Sequence, residues 1–258
     1  MAAILRVCIL FSLAILLTYL ILSRQLNYFI HPRIQYFSIF GFAALIILGI
    51  IQMKNIRHKA MHPIGIWGYI MISLPIFFFV LFPSKPSDAN LADQKVYTYI
   101  PPAQVDKKTK KDMDATQLQE EDWEAPYKKQ AAEFKKLPTI ILTKENFIDV
   151  TNVLAMYPED FKGKKVRMVG FVYREEGFEE NQFVIARLSM ACCVADAGVV
   201  GFFVETKRPK VFQKDQWYQI DGTFEMKKRE TGEVPGLKIE QYKRVPALKD
   251  SYVYQKLY

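Results

Sequence analysis

Two adjacent thiols with a carboxylate three residues further on, Cys192-Cys193-Val194-Ala195-Asp196, are the part of this 258-residue chain best equipped for chemistry. The only other cysteine, Cys8, lies in an apolar run near the N-terminus and reads as an ordinary apolar helix residue. Three readings of the pair stay open. Thiolates are soft donors, so Cys192 and Cys193 with Asp196 or a nearby Glu would suit zinc or Cu(I), zinc first. The same pair could instead form a vicinal disulfide or a reactive thiol, although it lacks the C-x-x-C spacing of thioredoxin-like sites. The structural alternative is that one thiol packs in a core while the other lies in a turn. Successive side chains of a regular strand point to opposite faces, so both thiols serve one site only where the chain turns or bulges. Ala195, Asp196, Ala197 and Gly198 make such a departure reasonable here.

Little else in the chain points to catalysis. The three histidines, His31, His58 and His62, all lie in the N-terminal third, so a four-ligand metal site around the cysteines needs carboxylates, water or a partner. The C-terminal part, having no His, cannot assemble a Ser/His/Asp set. The chain also has no Gly-rich phosphate loop, no H-E-x-x-H and no C-x-x-C. Glu175 and Glu176 read as a solvated turn, and Asp221 before Gly222 as a strand or turn position. The expectation is a protein that is not an enzyme.

The elements that position the cysteines fall into three stretches. Residues 1–87 contain no Asp or Glu, and their seven basic residues flank three long apolar runs, as in loops around membrane-spanning helices. Transmembrane helices are expected near 4–23, 36–53 and 64–82 in a membrane region of residues 1–85, the third carrying Pro75 and interfacial Trp67, Tyr69 and Phe82. Arg6 before an apolar run imitates a signal peptide. No small-residue cleavage pattern follows, however, and two more runs come directly after, so the first helix is expected to be retained. The loop of 54–62 carries Lys54, Arg57 and Lys59 against Arg24 and Arg33 in the loop of 24–35. This places the N-terminus in the cytoplasm and everything after the third helix outside it, in a multi-pass protein of the cell membrane. Between the helices, His31-Pro32-Arg33 reads as a helix-terminating turn with Arg at lipid headgroups.

These basic loops also account for the net charge. Of +8, seven units belong to residues 1–87, and the rest of the chain holds 28 Lys+Arg against 27 Asp+Glu. The high isoelectric point therefore does not signal nucleic-acid binding.

Residues 86–136 read as a charged linker, opened by Pro83-Ser84-Lys85-Pro86 and partly helical, from which Trp123 and Tyr127 could dock on the following domain. The domain of 137–258 opens with an amphipathic helix over 144–157, with Thr143 as its N-cap and Pro158 as its stop. Five strands follow at Val166 to Tyr173, Phe183 to Met190, Val199 to Val204, Trp217 to Met226 and Gly236 to Arg244. Five short strands with no second helical pattern between most of them predict an all-β or α+β unit, an OB-like five-stranded barrel on the extracytoplasmic side. OB folds often bind single strands of nucleic acid, but the near-neutral charge and the membrane anchor argue against that here.

Several segments resemble a known family. They are Phe161-Lys162-Gly163-Lys164-Lys165-Val166, Val169-Gly170-Phe171-Val172-Tyr173-Arg174, Phe183-Val184-Ile185-Ala186-Arg187 and Cys192-Cys193-Val194-Ala195-Asp196-Ala197, joined by Tyr28-Phe29-Ile30-His31-Pro32-Arg33 and Tyr252-Val253-Tyr254. Together they resemble the YcgQ-like family of bacterial membrane proteins, found mainly in Gram-positive organisms. The resemblance implies the second component of a two-component permease complex, partnered by a multi-spanning permease of the YcgR type. It marks His31, Pro32, Arg33, Arg187, Cys192, Cys193, Ala195 and Asp196 as family positions and supplies neither a substrate nor catalytic residues. Three helices without an intramembrane carboxylate make a poor transport path, which fits an accessory subunit. Such a subunit could handle metal through the cysteine pair, act as a cell-envelope thiol or redox module, or serve as a structural scaffold.

Overall fold

A computed structural model describes residues 2–56, 65–82, 92, 125–229, 232–248 and 251–254. Most of the basic loop of 54–62, the opening of the linker from Pro83 and the charged stretch through Trp123 lie outside these residues. Two compact units divide the chain, one comprising residues 1–86 with the short segment Cys192–Val194, the other the remainder.

In the first unit, α1 (Ala2–Leu22), α2 (Tyr36–Lys54) and α3 (Ile66–Leu81) occupy the three apolar runs. The helical stretches Ala3–Leu22 and Pro32–Lys54 are long and apolar enough to cross a membrane. The third helix has 16 residues, roughly 24 Å at 1.5 Å per residue, short of a hydrocarbon core of about 30 Å. Large apolar side chains face outward on all three, with Ile15 69 %, Phe40 75 % and Val80 73 % exposed, an arrangement that lipid tolerates and water penalises. The helices α1 and α2 approach closely at Gly49, where an added Cβ would stand 3.1 Å from the Phe11 ring. Such close approach is what small residues permit between membrane helices. Tyr19 meets Phe79 edge to face at 5.9 Å, joining α1 to α3, which carries Pro75 within its length.

The connection from α1 to α2 is an ordered turn. Arg24 adopts a left-handed conformation (φ 57°), a 3-10 turn covers Gln25–Tyr28, and a second covers Pro32–Ile34. The Gln35 amide donates to Asn27 Oδ1 at 2.6 Å and to the Ile30 carbonyl at 3.1 Å, pinning the loop. His31-Pro32-Arg33 therefore starts a helix instead of ending one. His31 is the N-cap, its Nδ1 accepting the Arg33 N–H at 3.0 Å, and Pro32 takes a first-turn position where its missing N–H costs nothing.

The second unit contains α4 (Ala125–Lys136), α5 (Phe147–Met156) and α6 (Pro158–Phe161). Its strands are β1 (Thr139–Ile141), β2 (Lys165–Tyr173), β3 (Gln182–Ser189), β4 (Gly198–Glu205), β5 (Trp217–Arg229), β6 (Gly232–Arg244) and β7 (Tyr252–Val253). The five expected strands are β2 to β6, each within a few residues of its reading. Their hydrogen-bonded order is β1-β2-β5-β6-β4-β3-β7, and β3 also pairs with β2 at Phe171–Tyr173, so the run from β2 through β5, β6, β4 and β3 returns to its first strand. Within that run only β4 and β6 are parallel, through Phe203 and Gly236, while the short outer strands β1 and β7 also pair in parallel. Neighbouring strands come close at Ala186: a Cβ on Gly170 would lie 2.6 Å from the Ala186 carbonyl oxygen, and one on Gly201 would run into the Ile185 carbonyl oxygen. Glycine is what lets the backbones pass.

The core of this unit gathers Val166, Met168, Val172, Phe183, Ile185, Phe202, Val204, Ile220, Phe224 and Leu237 from the strands with Phe147, Val150, Val153 and Leu154 from α5. Phe183 stacks on Phe212 at 4.9 Å and Phe202 meets Phe224 edge to face at 6.2 Å. Helix α4, within the stretch expected as linker, buries Ala131 in this core, and Tyr127 and Phe134 pack against it. The expected cap of α5 is displaced. The helix starts at Phe147 behind Asn146, whose side chain accepts the Thr143 N–H at 2.7 Å and donates to the Ile141 carbonyl at 3.1 Å. Thr143 is thus held by a turn instead of capping the helix.

Candidate functional site

Strand β3 ends at Ser189 and β4 starts at Gly198, leaving the loop that carries the cysteines between two antiparallel neighbours. The chain leaves strand geometry at once: Met190 still donates to the Val253 carbonyl at 3.3 Å, and a 3-10 turn then covers Val194–Asp196. The Asp196 carboxylate closes the loop by accepting the Ala191 N–H at 2.8 Å. The turn that two convergent thiols require is therefore present.

It brings the donors together. The Cys192 and Cys193 sulfurs and an Asp196 carboxylate oxygen all lie within 4.8 Å of one another. Neither cysteine is in a disulfide; Cys192 is exposed and Cys193 half-buried, so neither is buried in the core, where the structural alternative put one of them. Zinc–sulfur bonds of about 2.3 Å and zinc–oxygen bonds of about 2.0–2.2 Å are within reach of side-chain rotation in such a group. A two-sulfur, one-oxygen set is incomplete for a closed structural site, which takes four protein ligands, and its exposure leaves room for a further ligand to enter.

The loop also has a partner that its sequence neighbourhood does not show. Within the first unit, Ile30 and Cys193 form an antiparallel bridge. The His31 N–H donates to the Cys192 carbonyl at 2.9 Å and the Val194 N–H donates to the Phe29 carbonyl at 2.9 Å. A single bridge thus sets Ile30 beside Cys193. No periodicity or motif reports a pairing between residues so far apart in the chain. The two signals that could have been joined are those read separately, His-Pro-Arg at the helix boundary and Cys-Cys after the second long strand.

Arg187 proves to be a clamp. It is 5 % exposed on β3, its Nε donates to the Ser251 carbonyl at 3.1 Å, and its guanidinium lies 5.4 Å from the Trp217 ring centroid. It thereby holds the segment leading into β7 and lies outside the cysteine loop. Arg33 donates its backbone N–H to the His31 cap, and Pro32 fixes the turn between them.

Burial lowers the Arg174 guanidinium from its usual range, partly offset by Glu180. Its side chain donates to the carbonyls of Glu180, Gln182 and Phe212 and so ties the loop between β2 and β3 to the core. Burial alone would depress Lys227 as well, but hydrogen bonds and charge from Glu225 and Glu205 outweigh it and raise the ammonium above its ordinary value. Glu240 is held low by hydrogen bonds from Lys165 and Thr223.

Comparison with known proteins agrees with the segments that the sequence singled out. The model of the DUF1980 C-terminal domain matches residues 117–255, and that of the DUF1980 N-terminal domain matches residues 5–98. A protein of Streptococcus mutans described as a "Putative two-component membrane permease complex subunit" is 25% identical over 257 residues, covering 92% of this chain and 94% of that relative. The UPF0703 protein YcgQ of Bacillus subtilis is 23% identical over 193 residues, covering 72% of this chain and 68% of its own length. With both domain models in chain order and these relatives along most of its length, the chain belongs to the DUF1980 family, the group of YcgQ.

Proposed function

We propose that this protein is a membrane-anchored accessory subunit of a permease complex, and that the loop at Cys192, Cys193 and Asp196 binds or delivers a metal ion, zinc first. The observation that carries the metal reading is the convergence of two cysteine sulfurs and a carboxylate oxygen within 4.8 Å of one another in one loop. The subunit reading is supported by the permease-complex description of the streptococcal relative and by two helical stretches of spanning length. We read α3 as a third span, which makes the chain multi-pass. With the N-terminus inside, as the loop charges favour, the C-terminal unit stands on the extracytoplasmic side. We read the ring of strands β2, β5, β6, β4 and β3, with its one parallel contact between β4 and β6, as an OB-like barrel. The described helices place no carboxylate within the apolar spans, so a multi-spanning partner of the YcgR type would supply the transport path.

An exposed, three-donor site suits transfer better than structural stapling, because a closed four-ligand site gives up its ion slowly and needs no opening to solvent. The thiols must lose their protons on binding, so occupancy would fall at low pH. The test is zinc content and free-thiol titre of the full-length protein, purified anaerobically in detergent, beside the Cys192→Ser/Cys193→Ser double variant and Asp196→Asn. Bound zinc that disappears in the double variant and weakens in Asp196→Asn is expected. A metal-free wild type whose thiols interconvert with a disulfide in a two-electron step would replace this reading with a redox module. Metal-free and redox-inert thiols would leave a scaffold.

A further inference from the structure

We propose that the cavity between the start of β5 and the end of β6 binds a small zwitterion of the amino-acid or short-peptide class, with Arg244 and Gln216 taking its carboxylate and Asp215 its ammonium. The whole lining belongs to the second unit, and the site does not depend on the metal reading of the cysteine loop. The cavity measures about 450 Å3, inside the range of about 300–1,000 Å3 usual for small-molecule sites. Asp215, Gln216 and Trp217 line it from one segment, and Arg244 to Ala247 from the other. Backbone bonds fix both segments. The Asp215 N–H donates to the Val172 carbonyl at 2.9 Å, the Val172 N–H to the Gln216 carbonyl at 2.9 Å, and the Val245 N–H to the Trp217 carbonyl at 3.0 Å. Asp215 is also held left-handed (φ 66°), which among the described residues other than glycine only Arg24 shares. Backbone strain of this kind gathers at ligand-binding positions, where the surrounding structure holds it in place.

The lining sets the class of ligand. Arg244 Nη2 donates to Gln216 Oε1, a neutral acceptor, so the guanidinium keeps its full charge and four of its five N–H donors. Among the described residues it forms no ion pair. The same bond orients the Gln216 amide, whose Nε2 is left as a second donor group. A charged fork beside an amide N–H suits a carboxylate, which guanidinium groups bind through two parallel bonds. Asp215 would repel a plain anion in the same cavity. Asp215 and Arg244 share the cavity without pairing with each other, so a ligand carrying both charges answers both. A carboxylate has about four lone-pair sites, so contacts that Asp215 makes within the protein leave capacity for an ammonium. Val245, Pro246 and Ala247 offer apolar surface for the ligand's carbon skeleton.

The experiment is calorimetric titration of the full chain in detergent with glycine, glycylglycine and triglycine, which carry the two charges at increasing separation and little else. Binding of at least one is expected, with free amino acid and peptide told apart by which binds best. In a Trp67→Phe/Trp123→Phe background the remaining indole, Trp217, should change its fluorescence on binding, because it lines the cavity. Arg244→Met is expected to weaken binding by about 10- to 150-fold, the range for a charged hydrogen bond. Asp215→Asn keeps a residue that tolerates the left-handed backbone and removes the charge. The N-acetylated form of the best ligand should bind worse than its parent to the wild type and equally well to Asp215→Asn. Lys243→Met, an exposed neighbour outside the lining, should bind as the wild type does, and so should Cys192→Ser/Cys193→Ser. No binding of any of the three up to about 10 mM, tenfold above a 1 mM dissociation constant, would overturn the proposal. So would wild-type affinity in both Arg244→Met and Asp215→Asn, or an equal loss in Lys243→Met, which would trace binding to the general field of the domain. Loss in the cysteine variant would move the ligand to the other loop and overturn it as well.

Discussion

Replacing Arg187 with alanine should release the C-terminal edge of the sheet while leaving the rest of the second unit folded. Strand β7 is two residues long and, among the described residues, pairs with β3 alone, at Leu188–Tyr252 and Ser189–Val253. The guanidinium adds a charged hydrogen bond to the Ser251 carbonyl at 3.1 Å, worth about 1.5–3 kcal/mol, and a nearly desolvated contact with the Trp217 ring, worth about 2 kcal/mol. The contact with the Val169 carbonyl, at 3.4 Å, is too long to count. Truncation should therefore cost about 4 kcal/mol locally, close to a 1,000-fold rise in the open population of the segment at 1.4 kcal/mol per tenfold. Domains are stable by about 5–15 kcal/mol, so the unit survives if the loss is confined to β7.

Amide hydrogen exchange by mass spectrometry on the full chain reads this directly. Peptides covering Ser251 to Tyr254 should lose protection by that factor, while peptides in β5 and β6 stay protected. The exposed Lys238→Ala on β6 is the control. Arg187→Lys should restore little, because an ammonium lacks the flat face that lies against Trp217 and the fork that reaches the carbonyl. Protection at 251–254 within a few-fold of the control would refute the clamp, and so would an equal loss in every strand.

The ammonium of Lys227, bonded to Glu225 at 3.0 Å and Glu205 at 3.1 Å, has a folded pKa above its unfolded one, so its contribution is complete below about pH 10.4 and disappears as pH rises through the folded value. The gap in thermal stability between wild type and Lys227→Met should narrow at alkaline pH, and a constant gap would show that the ion pairs contribute nothing. The proposed membrane orientation predicts that Cys192, in a Cys8→Ser background and after chelation, reacts with an impermeant maleimide on intact cells. Labelling only after lysis would reverse the topology.

Strand positions were legible because β2, β3 and β4 carry apolar runs bounded by Gly and charged turns, and β5 alternates in burial along Tyr218 to Phe224. The short strands were not. Three residues at Thr139–Ile141 and two at Tyr252–Val253 carry no periodicity, and their place comes from parallel pairing with strands far away in the chain. Helix α4 was legible only as a partly helical linker with Tyr127 as a docking residue, since Lys128, Lys129, Lys135 and Lys136 read as solvated although Tyr127, Ala131 and Phe134 make an apolar stripe at four- and three-residue steps. The thiols and Asp196 were legible as a donor set because they share one short segment. The pairing of His31 with Cys192 was not, because a single bridge between two loops leaves no pattern in either.

That bridge joins residues 30 and 193, and so bears on how the protein is made. At about 5–20 residues per second, a ribosome needs roughly 10–30 s to travel from the first of these to the second. Throughout that interval the turn after α1 has been synthesised but its strand partner has not, and its backbone must wait on water, lipid headgroups or a chaperone. Final docking of this turn is therefore a late event in biogenesis, which would leave newly made chains distinguishable from mature ones by a protease that cuts near Phe29.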